Sequence, residues 1–125
     1  MASNFQSRNA IQIAHNEHLI HTKPAVDIYE TEEAIVVLVE MPNVKKENLQ
    51  VWVEDGKLYI TGKRDSSNIN GTYLLRETQD LQYERIFELE EDLDPEKISA
   101  SYQLGILKIE IGKKEKAKPK IIQVE

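Results

Sequence analysis

Cysteine is absent from all 125 positions, which excludes disulfides, thiolate metal centres and a thiol nucleophile together. A basic excess is absent as well. Lys and Arg number 16 against 22 Asp and Glu, and the formal net charge of −6 argues against a nucleic-acid surface. Long apolar runs are missing, at the N-terminus in particular, so neither a signal peptide nor a membrane span is expected. By elimination the expected compartment is the cytoplasm. The five glycines are spread over turns and build no phosphate-cradling loop. No serine stands in a nucleophile-elbow setting, and the three histidines all precede Pro24, outside the segments that alternate. Carboxylates alternate with apolar residues, as they do on solvated strand faces. No enzyme chemistry and no cofactor are expected. The length allows one domain with a single core.

What the chain does have is period-two alternation. Around Ala100–Ile111, Ile98, Ala100, Tyr102 and Leu104 share one parity; after Gly105 the parity shifts to Leu107, Ile109 and Ile111. Such spacing puts the apolar residues on one face of a half-buried strand, and Gly105 permits the positive φ of a turn or bulge between the two runs. Upstream, Ala25–Glu30 alternates, Thr31-Glu32-Glu33 turns, and Ile35–Val39 is apolar at every position. A continuous β-branched run predicts a central strand covered on both faces, ended by Met41-Pro42. Val44–Asn48 predicts one helical turn. Asp55-Gly56 predicts a two-residue hairpin in which Glu54 faces Lys57, Val53 faces Leu58, Trp52 faces Tyr59 and Val51 faces Ile60. Val51, Val53, Leu58 and Ile60 then form the core face, and Trp52 and Tyr59 share the other.

Lys63–Gln82 is long for a hairpin connection, with polar turn material followed by a candidate strand at Tyr73–Thr78. A surface loop is the plainer alternative. Tyr83, Arg85, Phe87 and Leu89 share a parity, so Arg85 interrupts an apolar face and needs a carboxylate or an interface partner. Asp94-Pro95-Glu96 has the residues of a helix start, one turn long.

Several of these stretches are similar to one family. Ala100-x-Tyr102-x-x-Gly105-Ile106-Leu107 resembles the A-x-x-x-n-G-v-L signature of the small heat shock proteins, the alpha-crystallin domain family, with Leu104 where the family usually has Asn. Pro24–Glu30 with the following strand and Met41-Pro42 resembles the family's opening. Leu49-x-Val51-x-Val53, then Gly56-x-Leu58-x-Ile60-x-Gly62-Lys63-Arg64, resembles it closely. Leu89-Glu90 departs from the usual Leu-Pro. The resemblance covers Pro24–Val124, of the bacterial and plant type. It implies an all-β fold, an immunoglobulin-like antiparallel β-sandwich, and an ATP-independent chaperone that holds unfolding client proteins. It also implies a homo-oligomer built from dimers. A strand in the long loop, with Tyr73, Leu74 and Leu75, would be exchanged between subunits, with Arg85 near the dimer interface. Ile122-Gln123-Val124 resembles the C-terminal anchor, whose groove is expected between strands around Leu49–Val53 and Ile98–Tyr102.

The ends frame this domain. Residues 1–22 read as a mobile or partly helical arm, 23–112 as the domain, and 113–125 as a C-terminal extension. In the arm, Phe5, Ile11, Ile13, Leu19 and Ile20 fit neither helix nor strand periodicity and are candidates for contacting clients. His15, His18 and His21 would roughly align on a helix, the spacing a metal site would use, but on a short arm they read as solvated. The lysines of the extension, with Glu115 among them, read as a solubilising linker rather than a nucleic-acid patch. Two rival readings remain: an adaptor module that docks on one partner as a monomer, and a metal enzyme using the histidine arm.

Overall fold

The Asp55-Gly56 turn shows how directly the backbone follows from the residues. In the computed structural model, which describes residues 20–65, 70–117 and 119–125, both take positive φ, 52° and 72°. They join β4 (Leu49–Glu54) to β5 (Lys57–Arg64). The cross-strand pairs are Glu54–Lys57, Val53–Leu58, Trp52–Tyr59 and Val51–Ile60, as the turn chemistry requires. Leu58 and Ile60 are buried, Val51 and Val53 pack against them, and the Trp52 and Tyr59 rings stack on the opposite face, 5.0 Å apart.

A second hairpin of the same kind links β7 (Leu93–Gln103) to β8 (Ile106–Lys113). Its turn is Leu104-Gly105, at φ 52° and 77°. Tyr102 pairs with Leu107, Ala100 with Ile109 and Ile98 with Ile111. A Cβ on Gly105 would sit 3.2 Å from Pro42 Cα, so glycine is needed there for space as well as for φ. Leu104 therefore does not continue the apolar parity of β7. It occupies a turn position that disfavours a branched side chain and projects wholly into solvent. We expect Leu104→Asn to raise stability by about 0.5–1 kcal/mol, since Asn tolerates left-handed backbone and the leucine makes no compensating contact. A higher urea midpoint checks this; an unchanged or lower one speaks against it.

The remaining strands are β1 (Ile20–Thr22), β2 (Val26–Glu30), β3 (Ala34–Glu40) and β6 (Leu81–Glu88). One sheet has the order β1-β6-β5-β4, the other β2-β3-β8-β7. β3 is interior, and the consecutive Val36 and Val37, on opposite faces, are each 3% exposed, as a run of β-branched residues predicts. Val37, Val39, Met41, Leu58, Ile60, Leu107, Ile109 and Ile111 fill the space between the sheets. Lys46–Asn48 forms the short turn expected before β4, as a 3-10 helix.

The structure differs from the sequence reading in several places. Asp94-Pro95-Glu96 starts no helix. It lies within β7, where Asp94 Oδ1 accepts the Glu96 N–H at 2.9 Å and the register with β8 shifts between Leu93 and Ile98. The aspartate serves a local turn inside a bulged strand instead of a helix cap. Tyr73–Thr78 joins neither sheet within the chain. The first strand begins inside the segment read as an arm, and it pairs parallel with β6 (Ile20–Leu81, Thr22–Tyr83), so that sheet is mixed rather than wholly antiparallel. Lys113 belongs to β8, not to a solvated tail. It is buried, its Nζ donates to Thr31 O at 2.9 Å, and it pairs with Glu30 at 2.6 Å.

Candidate assembly surfaces

Edges decide what a two-sheet sandwich can bind, because an edge strand leaves N–H and C=O groups without ladder partners. Here the edges are β1 and β4 in one sheet, β2 and β7 in the other. β4 and β7 lie on the same side of the sandwich. Val53 near the end of β4 shares a groove of about 740 Å³ with Leu93 and Pro95 at the start of β7. At the opposite end, the Tyr102 hydroxyl donates to Met41 O at 2.6 Å and accepts the Val44 N–H at 3.3 Å, just ahead of β4. The two edges therefore run antiparallel across a cleft. Leu49, Val51 and Val53 of β4 and Ile98 and Tyr102 of β7 are half-buried and pack against the core. Ala100, between Ile98 and Tyr102 on the same parity, is small and exposed. Ala100, Gly105, Ile106 and Leu107 belong to the β7–β8 hairpin.

Ile122 and Val124, two apart in sequence, are 80% and 92% exposed. The extension leaves the domain at the groove's end, where the Lys114 N–H donates to Asp92 O at 2.8 Å.

The long loop presents Leu74 fully and Leu75 about three-quarters to solvent, and Tyr73 nearly half. Arg76 holds this segment, lying 4.8 Å over the Tyr73 ring and pairing with Asp80. The hydrogen bond that Arg76 donates to Asp80 raises the guanidinium pKa. β2, at the open edge of the other sheet, exposes Ile28 and Tyr29. Arg85 is half-buried in β6. The guanidinium sits 5.0 Å over the Phe87 ring, and no ion pair joins it to a carboxylate among the described residues. The partner its position asks for is thus supplied in part by an aromatic face, not by an acid in the same chain.

Ile20 falls in β1 and is partly exposed. Phe5, Ile11, Ile13 and Leu19 lie outside the described residues, as do His15 and His18. His21, on β1, faces Glu84 at 3.6 Å. Among the described residues no group of three His, Cys, Asp or Glu side chains could hold a metal ion, and no helix is long and apolar enough to cross a membrane.

The geometry defines an all-β sandwich domain with open edges and unpaired apolar segments in the same chain. Comparison with known proteins agrees. The model of the Hsp20/alpha crystallin family matches residues 27–125. A probable 15 kDa heat shock protein of Leptospira interrogans is 36% identical over 98 residues, 78% of this chain and 75% of that one. The 16.9 kDa class I heat shock protein 1 of Triticum aestivum is 34% identical over 119 residues, covering 93% and 79%. Among solved structures, heat shock protein 16.0 of Schizosaccharomyces pombe superposes with a TM-score of 0.64 at 28% identity, covering 83% of this chain and 99% of that one. A small heat-shock protein of Xylella fastidiosa, described with a distinct high order structure, gives 0.65 at 29%, covering 83% and 97%. The chain belongs to the Hsp20/alpha crystallin family, the small heat shock proteins.

Proposed function

We propose that this protein is an ATP-independent holdase that assembles through its own edges and binds unfolding proteins before they aggregate. The observation that carries the reading is the pairing of open edges with unpaired apolar segments. β4 and β7 are the open edges on one side of the sandwich, and Ile122 and Val124 lie exposed beyond the domain. β2 is an open edge, and Tyr73, Leu74 and Leu75 form an unpaired extended segment that could complete a neighbour's sheet by strand addition. Arg85 then finds its charged partner across that dimer interface. Residues two apart in an extended strand point the same way, so Ile122 and Val124 enter one cleft together while Gln123 faces out.

No catalytic step and no cofactor enter this reading. The apolar residues of the arm, Phe5, Ile11, Ile13, Leu19 and Ile20, are the client-contacting set, and a cytoplasmic setting fits the cysteine-free chain. The test is light scattering from a heat-labile client warmed with and without the protein, with no nucleotide present. The expected result is suppression that rises with the ratio of protein to client. Full aggregation at every ratio, from a protein that runs as a monomer, would instead favour the adaptor reading.

A further inference from the structure

The β4–β7 cleft carries opposite charges at its two ends. At the Val53–Leu93 end the groove is lined by Glu90, Glu91 and Asp92, three consecutive acids, with Lys114 and Lys116 facing them in smaller number. Among the described residues no ion pair engages any of the three acids. Asp92 Oδ1 is also closed off from solvent, and no described group donates to it. A shielded carboxylate oxygen without a donor is costly, so this end of the cleft is incomplete in the single chain. At the Leu49–Tyr102 end the sign reverses. Lys45 and Lys46, with Glu47 beside them, directly follow Val44, whose N–H is bonded to the Tyr102 hydroxyl.

The exposed segment proposed to dock here carries the two signs in order. Lys120 stands two residues before Ile122, and Glu125 directly follows Val124. Lys120, Ile122 and Val124 share a parity, so an extended backbone that turns Ile122 and Val124 inward turns Lys120 inward with them. Lys120 to Glu125 covers roughly 17 Å of strand and Leu49 to Val53 roughly 13 Å, which puts the two charged residues at opposite ends of the cleft. One direction sets Lys120 at Glu90–Asp92 and Glu125 at Lys45–Lys46. The reverse sets lysine against lysines and glutamate against three acids.

We infer that the Ile122–Val124 segment of a second copy docks in one fixed direction, antiparallel to β4 and parallel to β7, with Lys120 paired to the Asp92 carboxylate. The inference rests on the docking proposed above and adds its direction and its polar anchor. Charge pairs at a rim contribute specificity and register more than affinity, which is what a short Ile-x-Val segment lacks.

Because the chain has no cysteine, introduced thiols report without background. Protein carrying Pro119→Cys is mixed and warmed with protein carrying either Pro95→Cys, at the acidic end, or Gln103→Cys, at the other, so that a link between the two different sites joins two chains. A short bismaleimide is added, and peptide mass spectrometry identifies the joined sites, with circular dichroism confirming the fold of each variant. The expected result is a strong link from position 119 to position 95 and little from 119 to 103. In a second arm, Lys120→Met and Asp92→Asn should each raise the concentration at which large species give way to dimers, by roughly fivefold. The double variant should lose no more than either alone, because the two residues form one contact. A link from 119 to 103 in place of the other, or both at equal yield, would overturn the fixed direction and leave the docking standing. Additive losses in the double variant would overturn the Lys120–Asp92 pair. Neither link forming would overturn the docking and the inference together.

Discussion

Ile122→Ala with Val124→Ala is expected to leave the sandwich folded and to move the protein from large assemblies to dimers. Both side chains are exposed and make no part of the core, so the subunit loses nothing by their truncation. Their burial in a neighbour's cleft would contribute roughly 1.5–3 kcal/mol each before the cost of ordering the extension. The segment 112–121 ahead of Ile122 spans at most roughly 35 Å when extended, enough to reach a neighbouring dimer. One such contact is weak, and an assembly holds only because many act together. Weakening each contact therefore collapses the assembly in a narrow range. Static light scattering after size exclusion checks this, and an unaltered mass distribution counts against a docked extension.

Arg85→Ala is expected to separate the dimer while sparing the subunit. Within one chain the guanidinium has the Phe87 ring 5.0 Å away, a contact whose loss costs about 0.5–1 kcal/mol. If the charge is paired and buried across an interface, its removal leaves the partner carboxylate without a counter-ion and costs about 3–5 kcal/mol. The two magnitudes make the outcome readable. Sedimentation at decreasing concentration should show dissociation at loadings where the wild type stays dimeric, with subunit circular dichroism retained. Equal dimer stability in the two proteins would place Arg85 outside the interface.

Local chemistry explains what was legible in the sequence. Asp55-Gly56 specified both turn and register because a two-residue loop with positive φ admits one pairing. The run Ile35–Val39 specified a central strand because nothing polar interrupts it. Where two local signals competed, tertiary pairing decided. Asp94-Pro95 carries the residues of a helix start, yet the pairing of Leu93 with Lys113 and Ile98 with Ile111 draws the stretch into β7. Lys113 reads as one lysine among several, and only the fold shows that Thr31 and Glu30 close over it. The short parallel pairing of Ile20–Thr22 with Leu81–Tyr83 spans about half the chain and leaves no mark on local periodicity. Ile86 went unnoticed because it lies on the polar parity of β6; only the register with Tyr59 and Trp52 shows that it completes a row. Tyr73–Leu75 and Ile122–Val124, the segments proposed to pair with another subunit, look alike in sequence and in a single chain: apolar and exposed.

The account's central claim is that weak edge contacts hold an assembly which opens on heating and then binds unfolding protein. The most direct measurement follows the native mass of the full chain as temperature rises, in parallel with scattering from a heat-labile client without nucleotide. The account predicts a large assembly at low temperature whose mass falls toward the dimer over the range where client protection sets in. Protection that develops with no change in mass, or a protein that is monomeric throughout and protects nothing, would contradict it.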